Sequence, residues 1–202
     1  MLNLTVFVID DDEGVRESLT LLMRNAGLKC RSYSSATAFL GQLEPEHQGC
    51  IVTDVRMPDM DGLSLIRRLH DIGCTMPIMV ITGHADVQLA VQAMKNGARD
   101  FIEKPFKNDI MLKAVRECLE QAQTDAANHA QRAIVQRRLE SLTERERQVF
   151  TALFEGQSNK EIAQVLSISP RTIEIYRANV MAKMQADSLP DLIKMMIVSK
   201  AA

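Results

Sequence analysis

Three carboxylates in a row, Asp10, Asp11 and Asp12, follow the apolar run LTVFVI, and a further acid, Asp54, closes the run CIVTD just ahead of the loop VRMPDMDG. A hydroxyl, Thr82, ends PIMVIT, and an ammonium, Lys104, ends DFIEK in front of Pro105. Carboxylates of this kind suit a divalent cation of magnesium's size, which takes octahedral oxygen ligands, commonly one or two carboxylates, phosphate oxygen and water. Asp11 and Asp54 can supply those carboxylates. A carboxylate can also attack a phosphoryl group to give an aspartyl phosphate, whose equatorial oxygens a lysine and a hydroxyl would then bind.

Taken singly, each residue has a plainer use. Asp12 before EGVRESL caps a helix and favours its dipole, Thr82 before GHAD is a turn residue, and Lys104 is a surface charge. Competing chemistries fail on spacing. A phosphatase of the haloacid-dehalogenase type needs a second aspartate two residues after its nucleophile, and position 56 is arginine. An EF-hand begun at Asp59 would need glycine sixth and glutamate twelfth, where the chain has Ser64 and His70. No P-loop or GxGxxG follows the first apolar run. Asp59 and Asp61 then read as turn residues, with Met57 and Pro58 fixing the loop that presents Asp54.

The elements that must hold these groups alternate. Up to about residue 118, the apolar runs LTVFVI, LKCRSY, CIVTD, PIMVIT and DFIEK are separated by helix-length amphipathic stretches. Those stretches are one carrying Val15, Leu19, Leu22 and Ala26, one around Phe39 and Leu40, Gly62 to His70, Asp86 to Asn96, and one from Asn108. Unbroken apolar strands alternating with helices predict an α/β fold, a doubly wound five-stranded parallel sheet with helices on both faces. In such sheets functional groups gather beyond the carboxyl ends of the strands, where the winding reverses. With strand order 2-1-3-4-5, all the groups above face one pocket.

From Glu117 to Leu139 the chain is rich in Ala, Gln and Arg without Gly or Pro, so the last helix runs on as a linker. Leu112, Val115, Leu119, Ala122, Ala126, His129 and Ala133 keep 3-4 spacing, but alanine and polar residues dominate it, which favours a solvated spacer over a coiled-coil seam. Beyond Leu142 only short helices are predicted. Thr143 with Glu146 forms a capping box, TERERQVF ends near Gly156, and Asn159–Leu166 and Arg171–Met184 are joined by SISP. Ile162, Ala163, Leu166, Ile168, Ile173, Val180 and Met184 make an apolar core, a helix-turn-helix pattern. Lys160, Arg171, Thr172, Arg177 and Lys183 lie on the outward side, where groove and phosphate contacts belong. The predicted domains are 1–118, a helical linker 119–138, and an all-α helix-turn-helix domain 139–202.

Composition sets the remaining bounds. The 202 residues include 46% hydrophobic and 25% charged, enough for two buried cores. Residues 1–120 carry 13 Lys and Arg against 17 Asp and Glu, and residues 121–202 carry 11 against 9, so nucleic-acid binding by the second part depends on local placement of charge. Cys30, Cys50, Cys74 and Cys118 show neither CxxC nor His ligand spacing, which predicts neither zinc nor disulfides and a reducing cytoplasm. MLNLTVFVIDDDE has no basic start and LIKMMIVSKAA is too short to span a bilayer, so neither export nor membrane insertion is predicted.

The motifs VIDDDEGVRESL, TDVRMPDMDG, MVITGHADV, AMKNGARDFIEKPF and SNKEIAQVLSISPRTIEIYRANVMAKM, in this order, resemble the receiver domain of two-component response regulators, and more closely the FixJ-like group with a LuxR-type output domain. The resemblance implies that Asp54 is the phosphoacceptor for a sensor histidine kinase. It implies that Asp10 and Asp11 are the acidic pair, with Asp54 and the backbone carbonyl of Arg56 completing a Mg2+ shell. Thr82 and Lys104 would contact the phosphoryl group, and the Lys104–Pro105 bond would be cis. Thr82 and Phe101 would form a switch that exposes a dimer face on the fourth helix, placed at Val91, Met94 and Lys95. Glu174, Ile175 and Ala178, with Arg177 close by, would read bases in promoter DNA as a homodimer. Glu174 stands where many such regulators carry lysine, and Tyr176 replaces a frequent histidine. The alternative is a DNA-binding protein whose receiver only dimerises and does no phosphate chemistry. No metabolic enzyme activity is expected.

Overall fold

The apolar runs form strands β1 (Thr5–Ile9), β2 (Lys29–Tyr33), β3 (Gly49–Asp54), β4 (Ile78–Thr82) and β5 (Asp100–Glu103). Between them lie helices α1 (Glu13–Asn25), α2 (Ala36–Gly41), α3 (Gly62–Asp71) and α4 (Val87–Lys95), and α5 (Asn108–Glu140) follows. The computed structural model describes residues 4–83 and 87–200, so the expected start of α4 at Asp86 lies outside the described residues. The strands make one parallel sheet in the order β2-β1-β3-β4-β5, the doubly wound arrangement the sequence predicts.

Successive side chains of a strand point to opposite faces, and here both faces are covered. Val6, Val8, Cys50, Val52, Met79 and Ile81 pack with Leu19, Met23, Met111, Val115 and Cys118 of α1 and α5. Phe7, Ile9, Ile51 and Val80 pack with Phe39, Leu65, Ile66, Leu69 and Ala93 of α2, α3 and α4. Unbroken apolar character holds for the central strands but not for β2, where Lys29, Arg31 and Ser32 are exposed. Such charges on an edge strand protect it from pairing with another chain. At the start of β3, Gly49 has φ +146, and a Cβ there would lie 1.8 Å from the Thr5 carbonyl oxygen, so this close approach to β1 requires glycine.

The chain divides into units Met1–Ala126 and Ala127–Ala202. The division falls inside α5, a helix of 33 residues with no Gly or Pro. Cys118, Leu119 and Ala122 are buried in the first unit, whereas Val135 and Leu139 belong to the core of the second. The expected spacer 119–138 therefore shrinks to an exposed stretch around 127–134. His129 and Ala133 of the supposed seam are exposed, Leu119 is taken up by the sheet's own core, and Ala122 is buried.

The second unit adds α6 (Glu144–Phe154), α7 (Asn159–Leu166), α8 (Pro170–Met184) and α9 (Leu189–Lys200) to the end of α5. Its helices start on polar caps. Capping boxes form at Thr143 with Glu146 and at Ser158 with Glu161, and Ser169 caps α8 with Pro170 in its first turn. Ser167, left-handed at φ 55, closes α7 and makes the tight turn into α8. Val149, Phe150, Leu153, Ile162, Ala163, Ile173, Val180, Met184, Leu192 and Met196 form the core, and α9 supplies the last two of these. Among the described residues no helix is long and apolar enough to cross a membrane.

Candidate functional site

Parallel register brings the strand ends level. Ile9 lies beside Thr53, Asp54 beside Ile81, and Thr82 beside Glu103, so the residues that close β1, β3, β4 and β5 meet at one edge. The Lys104 amide donates to the Thr82 carbonyl at 2.7 Å, and the Lys104–Pro105 peptide bond is cis, as the resemblance implies. The Lys104 ammonium then lies between two carboxylates, 2.6 Å from Asp10 Oδ2 and 2.7 Å from Asp54 Oδ1. Asp10 is 1% exposed and Asp54 6%. The other Asp54 oxygen, Oδ2, accepts from the Arg56 amide at 2.6 Å. Thr82 is buried at the same edge, and Arg56 itself is exposed.

The three consecutive acids have separate tasks. Asp10 turns inward and accepts from the Asp12 amide at 3.0 Å. Asp12 caps α1, accepting from the Val15 amide at 3.1 Å. Asp11 is exposed. Burial raises the Asp10 carboxyl above its ordinary range, and the hydrogen bonds from Lys104 and the Asp12 amide only partly offset it. For Lys104, burial acts to lower the ammonium, but its bonds to Asp10 and Asp54 prevail and raise it. The lysine thus stays charged between the two carboxylates.

Asp10 and Asp54 bring carboxylate oxygens to this edge, the donor chemistry magnesium prefers. Among the described residues no group of three or more His, Cys, Asp or Glu side chains is placed to hold a metal ion. An ion that keeps several waters and takes one or two carboxylates does not require such a group.

The surrounding loops are held by Arg16, which sequence reasoning passed over, and by Asp59 and Asp61, read there as turn residues. Arg16 Nη1 donates to the carbonyls of Asp10 and Asp11, both at 2.9 Å, and so fixes the acidic loop without engaging its carboxylates. Its position on α1, six residues after Asp10, was the available signal. Asp59 ties the loop after Asp54 to α2: it accepts from the Thr37 amide at 2.9 Å and the Thr37 hydroxyl at 2.7 Å. Slight burial opposes them, yet these bonds hold the Asp59 carboxyl down to about 2. Asp61 caps α3 through the Ser64 amide at 2.6 Å. A Cβ on Gly62 would lie 2.3 Å from the Asp54 carbonyl oxygen, so α3 can start against the acceptor strand only with glycine there.

Phe101 of β5 is half-buried and packs on the α2–α4 side of the sheet. On α4, Val91 and Met94 are 45% and 50% exposed, and Lys95 is also exposed.

In the second unit the expected contact residues separate into two groups. Lys160, Arg171, Glu174, Ile175 and Ala178 are exposed, and Thr172 is half-buried. Arg177 reaches back to α7, with Nη1 3.3 Å from Asn159 Oδ1. The Lys183 ammonium donates to Glu146 at 2.6 Å and to the Ser141 carbonyl at 3.1 Å, inside its own unit. Glu146 is 4% exposed, and Lys183 with the Thr143 amide holds its carboxyl below the ordinary range. Arg138, unnoticed in the sequence, donates to the Met184 carbonyl at 2.9 Å and to the Gln185 side chain at 2.5 Å, tying the end of α5 to the end of α8.

Residues 6–116 match the family described as response regulator receiver domain, and residues 140–196 match that of bacterial regulatory proteins, luxR family. The chain is 49% identical over 200 residues to the transcriptional regulatory protein FixJ of Azorhizobium caulinodans, covering 99% of this chain and 95% of that one. It is 47% identical over 200 residues to FixJ of Rhizobium meliloti, covering 96% of each. Among solved structures, the response regulator StyR is similar with a TM-score of 0.83 at 38% identity, over 96% of this chain and 98% of that one. Full-length FixJ from B. japonicum is similar with a TM-score of 0.61 at 44% identity, over the whole of both chains.

Proposed function

The chain belongs to the response regulators that join a receiver domain to a LuxR-type DNA-binding domain, and on that premise we propose that Asp54 accepts a phosphoryl group from a partner histidine kinase, after which the chain dimerises and binds promoter DNA. The observation that carries this is the half-buried Lys104 ammonium between the buried carboxylates of Asp10 and Asp54. In the transfer, an Asp54 oxygen attacks phosphorus, the new P–O bond forms as the P–N bond to the kinase histidine breaks, and the imidazole leaves with the electron pair. Lys104, already on Asp54, stands ready to bind a phosphoryl oxygen, and the Arg56 amide fixes the other carboxylate oxygen. Asp10, Asp11, Asp54 and the Arg56 carbonyl would hold Mg2+, which supplies charge neutralisation for the phosphoryl oxygens. Thr82 would bind a further phosphoryl oxygen.

The added phosphoryl group draws the Thr82 hydroxyl toward it, and Phe101 turns inward. Lacking a phenol hydroxyl, Phe101 buries without a polar cost. The face so altered runs along α4, where Val91 and Met94 are exposed beside Lys95 and would meet their copies across a two-fold axis. Residues 121–202 carry 11 Lys and Arg against 9 Asp and Glu, so one output domain holds DNA weakly, and two on a two-fold site gain from effective concentration. Lys160, Arg171 and Thr172 would contact phosphate near the helix starts, with Glu174, Ile175, Arg177 and Ala178 at the groove. Lys183, engaged by Glu146, is not assigned a DNA contact.

The test is labelling with a small phosphodonor and magnesium. One acid-stable site is not expected; one acylphosphate at Asp54 is, sensitive to hydroxylamine and abolished in Asp54→Asn and by chelator. A parent chain that takes no phosphate yet dimerises and binds DNA would establish the passive receiver instead.

A further inference from the structure

We propose that α8 reads two neighbouring base pairs by name: Ile175 packs against the C5 methyl of a thymine, and Glu174 accepts a hydrogen bond from the N4 amine of an adjacent cytosine. The proposal rests on the DNA-binding reading above and deepens it by giving the bases of the half-site.

Ile175 is 59% exposed, whereas Ile173, Val180 and Met184 of the same helix are wholly buried. At 3.6 residues per turn, Ile175 lies about 200° around α8 from Ile173, on the side away from the core. Arg171, Glu174, Ala178, Asn179 and Ala182 share the outward side and are exposed. Ile175 is the one large apolar side chain among them, so packing within the unit gives no reason for it. Ala178, three residues on, is short enough to let a base edge approach. Of the groups displayed in the major groove, only the thymine C5 methyl offers an apolar surface for such a side chain to cover.

Glu174 makes the complementary case. Its carboxylate repels phosphate, so a helix carrying it at the groove gains only where the base edge presents an amine, and cytosine N4 is the partner that suits an acid. Arg177, three residues on, is placed to neutralise it, but the Arg177 guanidinium is turned to Asn159 at 3.3 Å. Among the described residues Glu174 takes part in no salt bridge, which leaves the carboxylate open to a donor from outside. Consecutive residues on a groove-bound helix reach neighbouring base pairs, which joins the two preferences into one short sequence.

The experiment uses the full chain, phosphorylated with a small phosphodonor and magnesium, to select duplexes from a random pool. Each thymine of the selected site is then replaced by uracil, which removes only the methyl. One thymine in each half-site should weaken binding about fourfold when replaced, the effect of one buried methyl. In Ile175→Ala the same replacement should change nothing, while sensitivity elsewhere in the site is kept. At the adjacent pair, 2-pyrimidinone in place of cytosine removes the N4 amine; it should weaken the parent and leave Glu174→Ala unaffected. Ile175 and Glu174 are exposed, so both variants should melt with the parent. A site in which no thymine is sensitive to uracil, or equal sensitivity in parent and Ile175→Ala, overturns the proposal. Failure to enrich any site overturns the DNA-binding reading itself and the proposal with it.

Discussion

Replacing Lys104 by Met removes the ammonium that faces two buried carboxylates and keeps the apolar length of the side chain. Breaking a buried ion pair by removing one partner costs about 3–5 kcal/mol, because the remaining charge is left desolvated. The Lys104 side chain is 20% exposed, so water can reach part of the gap, and the lower end of that range applies. The expected loss is about 3 kcal/mol at neutral pH, or roughly a hundredfold in the opening equilibrium. The two units each have their own core, so a whole-chain melt would blend them. Hydrogen exchange at the amides of β1 and β3, resolved by mass spectrometry, reads the first unit alone. In chelator, those amides should exchange about two orders of magnitude faster than in the parent, while α8 amides exchange as before. Adding magnesium should recover part of the protection, since a cation that binds only the folded state stabilises it by mass action. Lowering the pH should narrow the deficit: without the lysine the burial that raises the Asp10 carboxyl goes unopposed by its main partner, and protonating it relieves the repulsion. Exchange within a factor of two of the parent at neutral pH in chelator would refute the reasoning, and Lys104 would then be a surface charge after all.

Asp59, held at about 2 against an ordinary value of 3.8, stabilises the folded loop above about pH 4 and loses that contribution as the pH falls toward 2. The Thr37 amide resonance should therefore titrate with a midpoint near 2, and a midpoint near 4 would show that the tie to Thr37 is absent in solution. Arg177→Ala should weaken binding to the selected site far more than to random duplex, whereas Lys160→Ala should weaken both alike and lower the salt dependence by about one ion; a gel-shift series over salt separates the two. Lys95→Glu should keep the phosphorylated chain monomeric in sedimentation and reduce DNA affinity about tenfold or more while leaving Asp54 labelling intact. An unchanged dimer in that variant would place the contact elsewhere.

The sheet was legible because both its faces are buried: LTVFVI, CIVTD and PIMVIT read as central strands from apolar content alone, and the polar groups stood out as the residues that end them. Of Asp10, Asp11 and Asp12, the cap at Asp12 was legible from the helix that follows it, but the inward turn of Asp10 and the exposure of Asp11 were not. Three identical side chains differ only in the direction the backbone gives them, one inward to Lys104, one to solvent and one onto α1. The partner of Lys183 was hidden for a related reason. Helical spacing sets it outward, but its ammonium finds Glu146, 37 residues earlier, and no local pattern reports such a partner. Arg16 and Asp59 act through backbone carbonyls and a threonine on another element, contacts that exist only once the loops are folded. At the ends of the linker, Leu119 and Ala122 on one side and Val135 on the other are buried, which their local sequence does not report.

The way Arg138 and Val135 belong to the DNA-binding unit has a practical consequence for building chimaeric regulators. A graft cut where the luxR-family segment begins, at residue 140, would leave behind a wholly buried valine and the arginine bonded to the end of α8. The transplanted output domain would carry a hole in its core and a frayed end to α8, and its weak activity would be blamed on the foreign sensor. Junctions drawn within 127–134, where α5 is exposed, keep both cores whole and make receivers exchangeable parts.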